Sequence, residues 1–184
     1  MIAAGEGNYQ IKATIHCYSD DPTFDGERQG IWSNWKRFYD IASHFEGVMG
    51  VDFSINTDFP DPVKRNQIYK MRAIEYGAIS RGIETTPNAR WGTRETWDYC
   101  FDALPEEEPL SVGVVGSGLK KIENRPVFDA GLRELVRRKR PPALVVVGSA
   151  EYPVFHEIEA TGIRIYQLDG DTSSYFKEKG ARHV

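Results

Sequence analysis

Carboxylates stand directly after apolar segments of this sequence, where they could hold a metal ion beside a phosphorylated substrate. Asp52 and Ser54 close the segment GVMGVDFS, and Asp20 and Asp21 follow the first apolar segment. A buried carboxylate is costly unless it has partners or a function. Mg²⁺ and Mn²⁺ take carboxylate ligands, and a bound metal ion can activate water for phosphoester hydrolysis. We therefore expect Asp20 and Asp52 to hold Mg²⁺ or Mn²⁺, with Asp21 as a further catalytic carboxylate and no organic cofactor.

Positive charge that could balance a phosphate lies near the ends of two other segments. Arg90 lies in IETTPNARW (83–91), and Lys120 and Lys121 end the stretch GSGLKK (116–121). The glycines of that stretch can expose backbone N–H groups that contact a phosphate oxygen. The stretch matches neither the Walker A pattern nor the dinucleotide-binding glycine pattern, so an ordinary turn stays open as an alternative.

The candidate site combines catalytic groups with ligand contacts. The candidate catalytic residues are Asp52, Asp21 and Arg90, and the candidate ligand contacts are Ser54, Asn88, Trp91, Asp102, Gly116, Ser117, Gly118 and Lys120. Asn88 and Trp91 could equally well be packing and turn residues instead of ligand contacts. If the protein binds a ligand without chemistry, exposed Trp91, Trp97 and Tyr99 could stack on a base.

Structural alternatives exist for the charged candidates as well. Arg90 could be the ion-pair partner of Asp52, which would make both residues scaffold instead of site. Asp20 and Asp21 precede a proline and could merely cap a turn.

Six apolar segments with strand character alternate with segments of helical periodicity. The predicted strands cover residues 11–18, 47–54, 83–91, 110–117, 143–149 and 163–169. The predicted helices cover residues 31–45, the segment from Pro62 through Ile74, 126–139 and 153–160. Strands that alternate with helices form parallel βαβ units. We therefore predict a single α/β domain over residues 1–184, a layered fold with a mainly parallel sheet of about six strands; a shortened or incomplete βα barrel is the alternative.

The predicted strand ends connect this fold to the candidate site. In parallel α/β folds, ligands bind at the carboxyl ends of the strands. Most of the candidate residues lie at or just after the carboxyl ends of predicted strands, so they would line one polar cleft if the strand ends converge. Their convergence depends on the strand order, which one sequence does not reveal.

The composition is that of a soluble globular protein, with 40% hydrophobic and 27% charged residues among 184. A net charge of −4 gives the surface no general attraction for nucleic acid. No segment reaches the roughly 20 apolar residues of a membrane span, and the N-terminus lacks the features of a secretory signal. Two cysteines and four histidines form no zinc pattern. We expect a cytoplasmic protein with two reduced core thiols and frayed tails at residues 1–9 and 178–184.

Several blocks of the sequence resemble domain of unknown function family 4417, an uncharacterised family of bacterial, plasmid and phage proteins. The blocks include GVMGVDFSINTDFP, GIETTPNARWG, CFDALP, VGVVGSG, FDAGLREL and PPALVVVGS, and the resemblance runs from about Ile15 to Gly148. The family commonly has Pro where this chain has Val51, and often Tyr-Gly where this chain has Val147-Gly148. The resemblance implies a phage or mobile-element setting, hence the cytoplasm of a host cell, and implies no established activity.

These observations predict a phage-type or mobile-element-type protein that acts on a phosphorylated or nucleotide-like substrate at the strand ends. Metal-assisted phosphoester hydrolysis, by a hydrolase or nuclease, is the reaction that the carboxylates favour. The alternative is a protein without catalysis that sequesters a nucleotide or binds a host protein. A nucleotide-like small molecule, nucleic acid or a host protein are the partners expected, and a membrane is not.

Overall fold

The computed structural model of the protein describes residues 10–19, 24–56 and 58–169. The tails predicted at residues 1–9 and 178–184 lie outside these ranges, and so do Asp20 and Asp21. The expectations for those residues stay predictions.

Strands and helices alternate along the described residues, which confirms the predicted α/β class. The elements are β1 (Ile11–Ile15), α1 (Trp35–Ala42), β2 (Phe45–Met49), α2 (Asp61–Ile79), β3 (Thr85–Thr86), α3 (Trp97–Phe101), β4 (Leu110–Gly113), α4 (Arg125–Lys139), β5 (Ala143–Val147), α5 (Pro153–Glu159) and β6 (Arg164–Leu168). β1, β2 and β3 form one parallel sheet in that order, and β4, β5 and β6 form a second. A parallel bridge between Asn88 and Ser111 connects the end of β3 to β4. Each strand therefore neighbours the next strand along the chain.

The strands are shorter than the apolar segments that predict them. β3 contains only Thr85 and Thr86 of the predicted residues 83–91, because the next residue, Pro87, has no N–H to donate to a ladder. β2 ends at Met49, where its pairing with β3 ends. Asp52 therefore lies beyond the strand instead of within it.

Of the helices α1 to α5, the sequence predicted all except α3. That helix has five residues, too few to show a helical period. α2 places Pro62 in its first turn, as predicted, and runs five residues past Ile74. Residues 31–34 form turns, so α1 is shorter than predicted. No helix in the described part of the chain has the length and the apolar composition that crossing a membrane requires.

The hydrophobic core joins the two sheets. One cluster of buried side chains contains Val48 of β2, Val112 of β4 and Leu144 of β5. β4 and β5 are almost entirely buried, as their runs of valine predict for parallel strands covered on both faces. Cys17 and Cys100 are buried and free, as expected for core thiols.

β1 and β6 are the outer strands of the two sheets, and their residues are half-buried or exposed. The sequential order of neighbours is also the order of an incomplete βα barrel. In the described residues neither outer strand pairs on its outer side, so the sheets do not close into a complete barrel.

Candidate functional site

The carboxyl ends of the first three strands meet in a group of polar side chains, which we call the strand-end cluster. It consists of Tyr18, Asp52, Asn88 and Arg90, which contact one another through hydrogen bonds. They meet because consecutive strands are neighbours in the fold. The structure thus brings together three residues that the sequence predicted, and Ser54, another predicted residue, is half-buried two positions beyond Asp52.

Asp52 and Arg90 form an ion pair that is almost fully buried. Nη1 of Arg90 donates to Oδ1 and Oδ2 of Asp52 at 3.2 and 3.0 Å, and the Arg90 and Asp52 side chains are 8% and 11% exposed. Nη2 of Arg90 donates to the carbonyl of Gly116 at 3.2 Å. Each charge therefore has the partner that a buried charge needs. This contact is the ion pair that the sequence analysis gave as the structural alternative for Asp52 and Arg90.

Asn88 holds the carboxylate of Asp52 from another side. Its Nδ2 donates to Oδ1 of Asp52 at 2.9 Å and to the carbonyl of Val51 at 3.1 Å. Its Oδ1 accepts a hydrogen bond from the Tyr18 hydroxyl at 2.8 Å. Asn88 is completely buried, so these bonds replace the ones that water would supply. The partners also fix the orientation of the amide, because Nδ2 can only donate and Oδ1 can only accept.

Helix α2 holds the backbone of Asn88. The N–H of Asn88 donates to Oε1 of Glu75 at 2.8 Å, and its carbonyl accepts a hydrogen bond from Nη2 of Arg72. Arg72 also forms an ion pair with Glu75 at 2.9 Å. Burial raises the pKa of the Glu75 carboxyl, and Arg72 and the Asn88 N–H offset part of that increase. Gly50 makes room for this contact, because a Cβ there would overlap Oε1 of Glu75.

Tyr18 and Gly113 close the strand-end cluster beside β4. Burial raises the pKa of the Tyr18 hydroxyl well above its usual value, and the negative charge of Asp52 raises it further. Tyr18 is therefore a protonated donor at neutral pH. A Cβ on Gly113 would lie 2.7 Å from the Tyr18 ring and 3.1 Å from Oδ2 of Asp52, so the close approach requires a glycine.

The glycine-rich loop after β4 borders the strand-end cluster. It begins with a short 3₁₀-helix, after which Gly118 has a φ of 64°, a conformation that glycine adopts readily. Oγ of Ser117 donates to the carbonyl of Gly113 at 2.8 Å, which holds the loop against β4. Lys120 and Lys121 are exposed and have no ion-pair partner among the described residues.

The cavity beside Arg90 is small. Its volume is about 10 Å³, and its lining includes Val112, Gly113 and Ser117. This is about the space of one water molecule, whereas ligand pockets measure roughly 300–1,000 Å³. A ligand of nucleotide size would therefore not fit inside this cavity.

Trp91 and Asp102 lie outside the strand-end cluster. Trp91 is 9% exposed, and its ring centroid is 5.9 Å from that of Phe101 and 5.0 Å from that of Phe128. The expectation that Trp91 is exposed was wrong, because this large apolar ring is buried in the core. Asp102 follows α3, and its carbonyl accepts a hydrogen bond from Lys139 at the end of α4. Since α4 ends shortly before β5 begins, Asp102 lies near the amino ends of the strands.

The described residues do not fit a metal site. No group of three or more His, Cys, Asp or Glu side chains among them could hold a metal ion. Both oxygens of Asp52 accept hydrogen bonds from Arg90, whose positive charge would repel a cation there. Asp20, the other predicted ligand, lies outside the described residues, so metal binding stays a prediction.

Three residues that form or support the strand-end cluster were not identified from the sequence: Tyr18, Arg72 and Glu75. Tyr18 ends the first predicted strand, where an aromatic residue is ordinary. Glu75 did carry a signal, because it lies four residues after Met71 and seven after Ile68, two buried residues of α2. A carboxylate on the apolar face of a helix indicates a buried partner.

The sequence pattern of a family described as a domain of unknown function, DUF4417, matches residues 5–167 of the chain. The chain belongs to this family. The match confirms the resemblance that the sequence blocks indicated.

Two relatives of this DUF4417 chain are phage proteins, which agrees with the predicted phage setting. The Gene 1 protein of Mycobacterium phage D29 is 31% identical over 138 residues, which cover 75% of this chain and 49% of that protein. The Gene 1 protein of Mycobacterium phage L5 is 30% identical over 138 residues, which cover 75% of this chain and 58% of that protein. The chain thus spans about half the length of the curated relatives it matches. No solved structure matches it.

Proposed function

We propose that this phage-type protein binds a phosphorylated, nucleotide-like molecule on the outer surface of the loop after β4, above the strand-end cluster. The observation that carries the proposal is the position of Arg90, which pairs with Asp52 and also bonds the carbonyl of Gly116 in that loop. The surface beneath the ligand is therefore electrically balanced, and Asp52 does not repel a phosphate as a lone carboxylate would.

Lys120 and Lys121 supply the positive charge for the phosphate. Both are exposed on the loop, and the nearby Glu123 leaves the segment with an excess of positive charge. Ammonium groups bind phosphate oxygens as flexible point charges. Gly116 is exposed, so a phosphate can reach the backbone of the loop at that position.

Binding without hydrolysis is the form of the proposal that the described residues support best. Asp52 accepts hydrogen bonds from Arg90 and Asn88, which leaves it poorly placed to act as a metal ligand or as a general base. Metal-assisted phosphoester hydrolysis would need Asp20 or Asp21, so the experiment includes a metal ion.

Thermal unfolding midpoints test the proposal with linear and cyclic nucleotides and short oligonucleotides, with and without Mg²⁺ or Mn²⁺. A ligand at ~100 times its Kd stabilises the fold by about 2.7 kcal/mol, which shifts the midpoint measurably. We expect a shift without metal that the Lys120→Gln/Lys121→Gln variant reduces. The matched control is Lys12→Gln, which removes an exposed lysine on β1 and leaves the shift unchanged.

Two other outcomes have distinct meanings. A shift that requires the metal ion, together with hydrolysis products, would favour the phosphoester hydrolase. No shift with any phosphorylated compound would contradict the proposal and favour a host protein as the partner, which a pull-down would then identify.

A further inference from the structure

A groove between α1 and the turn after α2 combines aromatic rings with exposed cations. Its volume is about 420 Å³, and its lining residues are Trp35, Lys36, Tyr39, Asp40, Ser43, Arg81 and Ile83. Ser43 comes shortly before β2 and Ile83 shortly before β3. This aromatic groove is therefore at the opposite end of the first sheet from the strand-end cluster.

Tyr39 and Trp35 form a wall of the aromatic groove. The Tyr39 hydroxyl donates to the carbonyl of Ile74 at 3.0 Å, and Tyr39 is 6% exposed. Gly77 makes room for it, because a Cβ there would overlap the Tyr39 hydroxyl. The Trp35 ring lies 5.9 Å from the Tyr39 ring and is 39% exposed. The groove thus has one ring fixed in the core and one that a ligand can reach.

Lys36 and Arg81 are held against these rings. The guanidinium carbon of Arg81 lies 4.4 Å from the Tyr39 ring centroid and 5.6 Å from that of Trp35, and Nη1 donates to the Gly77 carbonyl at 2.7 Å. Nζ of Lys36 lies 5.3 Å from the Trp35 ring centroid. Among the described residues neither cation has a carboxylate partner. Two positive charges are therefore positioned beside an accessible aromatic ring.

We propose that the aromatic groove binds one nucleotide unit. The base stacks on Trp35, and the phosphate lies between Lys36 and Arg81, since a guanidinium edge matches phosphate oxygens. Asp40 accepts a hydrogen bond from an amino group of the base. With Asp40 counted, the lining residues keep a net positive charge. The groove volume is within the roughly 300–1,000 Å³ of small-molecule sites.

This nucleotide unit has two possible sources with the same chemistry. It is either a free mononucleotide or one nucleotide of a single strand, because both present a base and a phosphate. The groove shares no residue with the loop after β4, so this binding site stands independently of the function proposed above.

Isothermal titration calorimetry with AMP and with a short oligo-deoxyadenylate tests the proposal. The full chain carries Lys120→Gln and Lys121→Gln, so that binding at the loop after β4 does not contribute. We expect Arg81→Gln and Trp35→Leu each to weaken binding about tenfold or more. The matched control is Arg164→Gln, whose guanidinium lies 5.9 Å from the exposed Tyr166 ring at the edge of β6, and we expect it to bind as the parent does.

The two probes distinguish the sources. Binding of AMP identifies a free nucleotide as sufficient, and binding of the oligonucleotide alone identifies a single strand. Unfolding midpoints of all variants in the same buffer establish that lost binding is not lost folding. The proposal is overturned if neither probe binds at millimolar concentration, or if Arg81→Gln and Trp35→Leu bind as tightly as the parent.

Discussion

Asp52 and Arg90 in the strand-end cluster pair with each other and are almost fully buried, whereas Lys36 and Arg81 in the aromatic groove are exposed and contact rings instead. In the cluster, the charges of the protein neutralise each other. In the groove, Lys36 and Arg81 are held against the rings, and among the described residues neither pairs with a carboxylate.

The difference separates groups that maintain the fold from groups that are available to a ligand. Breaking a buried ion pair leaves an uncompensated charge in the protein interior, while an exposed charge contributes little to stability. The main role of the strand-end cluster is therefore to hold the loop after β4 in position. By contrast, substitution of an exposed cation in the aromatic groove should cost little stability.

Removal of the Asp52 carboxylate is expected to have the largest effect on stability. Asp52→Ala would leave Arg90, whose side chain is 8% exposed, without its charge partner, and would remove an acceptor from Nδ2 of Asn88. Loss of one member of a buried pair costs about 3–5 kcal/mol. Urea unfolding measures this free energy, and an unchanged slope with denaturant shows that both proteins unfold in the same way.

The matched control breaks an ion pair on the surface. Glu157→Ala removes the partner of Arg133, whose Nε and Nη2 donate to the Glu157 carboxylate at 2.9 and 2.7 Å. Both side chains are about half exposed, so solvent screens the interaction and the loss should be much smaller. Equal losses in the two variants would contradict the scaffold role of Asp52.

The sequence predicted the strand-end positions approximately, because apolar segments mark the strands, although β2 and β3 end before those segments do. Asp52, Asn88 and Arg90 lie at or after such ends, and parallel strands bring their carboxyl ends to one edge. The residue types alone also indicated an ion pair between Asp52 and Arg90 as a structural alternative. Strand order could not be predicted, because the same alternation of helices and strands is compatible with several orders. That order decides whether the ends meet.

The sequence did not predict the aromatic groove, and the reason is different. The spacing of Trp35 and Tyr39 indicates one face of a helix, but not the segment that lies opposite. Arg81 comes from the turn after α2, and only the packing of α1 beside α2 brings it to the two rings. Asp102 was predicted at the candidate site but lies near the amino ends of the strands. It follows α3, a helix that the sequence did not predict.

A methyl group added at Gly50 is expected to have an intermediate effect. The Cβ of Gly50→Ala would overlap Oε1 of Glu75 and lie 2.7 Å from the backbone nitrogen of Asn88, and such overpacking costs about 1–3 kcal/mol. Gly77→Ala is the matched change beside the groove. Its close contacts are with the side chain of Tyr39, and Ala favours a helix over Gly by about 1 kcal/mol, which offsets part of the clash. Unfolding free energies compare the two, and a larger loss in Gly77→Ala would reverse the comparison.

The smallest change in stability is expected for Arg81→Gln. Arg81 is exposed, and an exposed contact between a cation and a ring contributes about 0.5–1 kcal/mol, so the variant should lose no more than about 1 kcal/mol in urea unfolding. The same variant is expected to lose most of its nucleotide binding. A stability loss as large as that of Asp52→Ala would instead make Arg81 part of the scaffold and remove the reason to assign it a ligand. A small loss would show that Arg81 contributes little to folding. Since no carboxylate among the described residues neutralises Arg81, its position against two rings is then best explained by a bound anion.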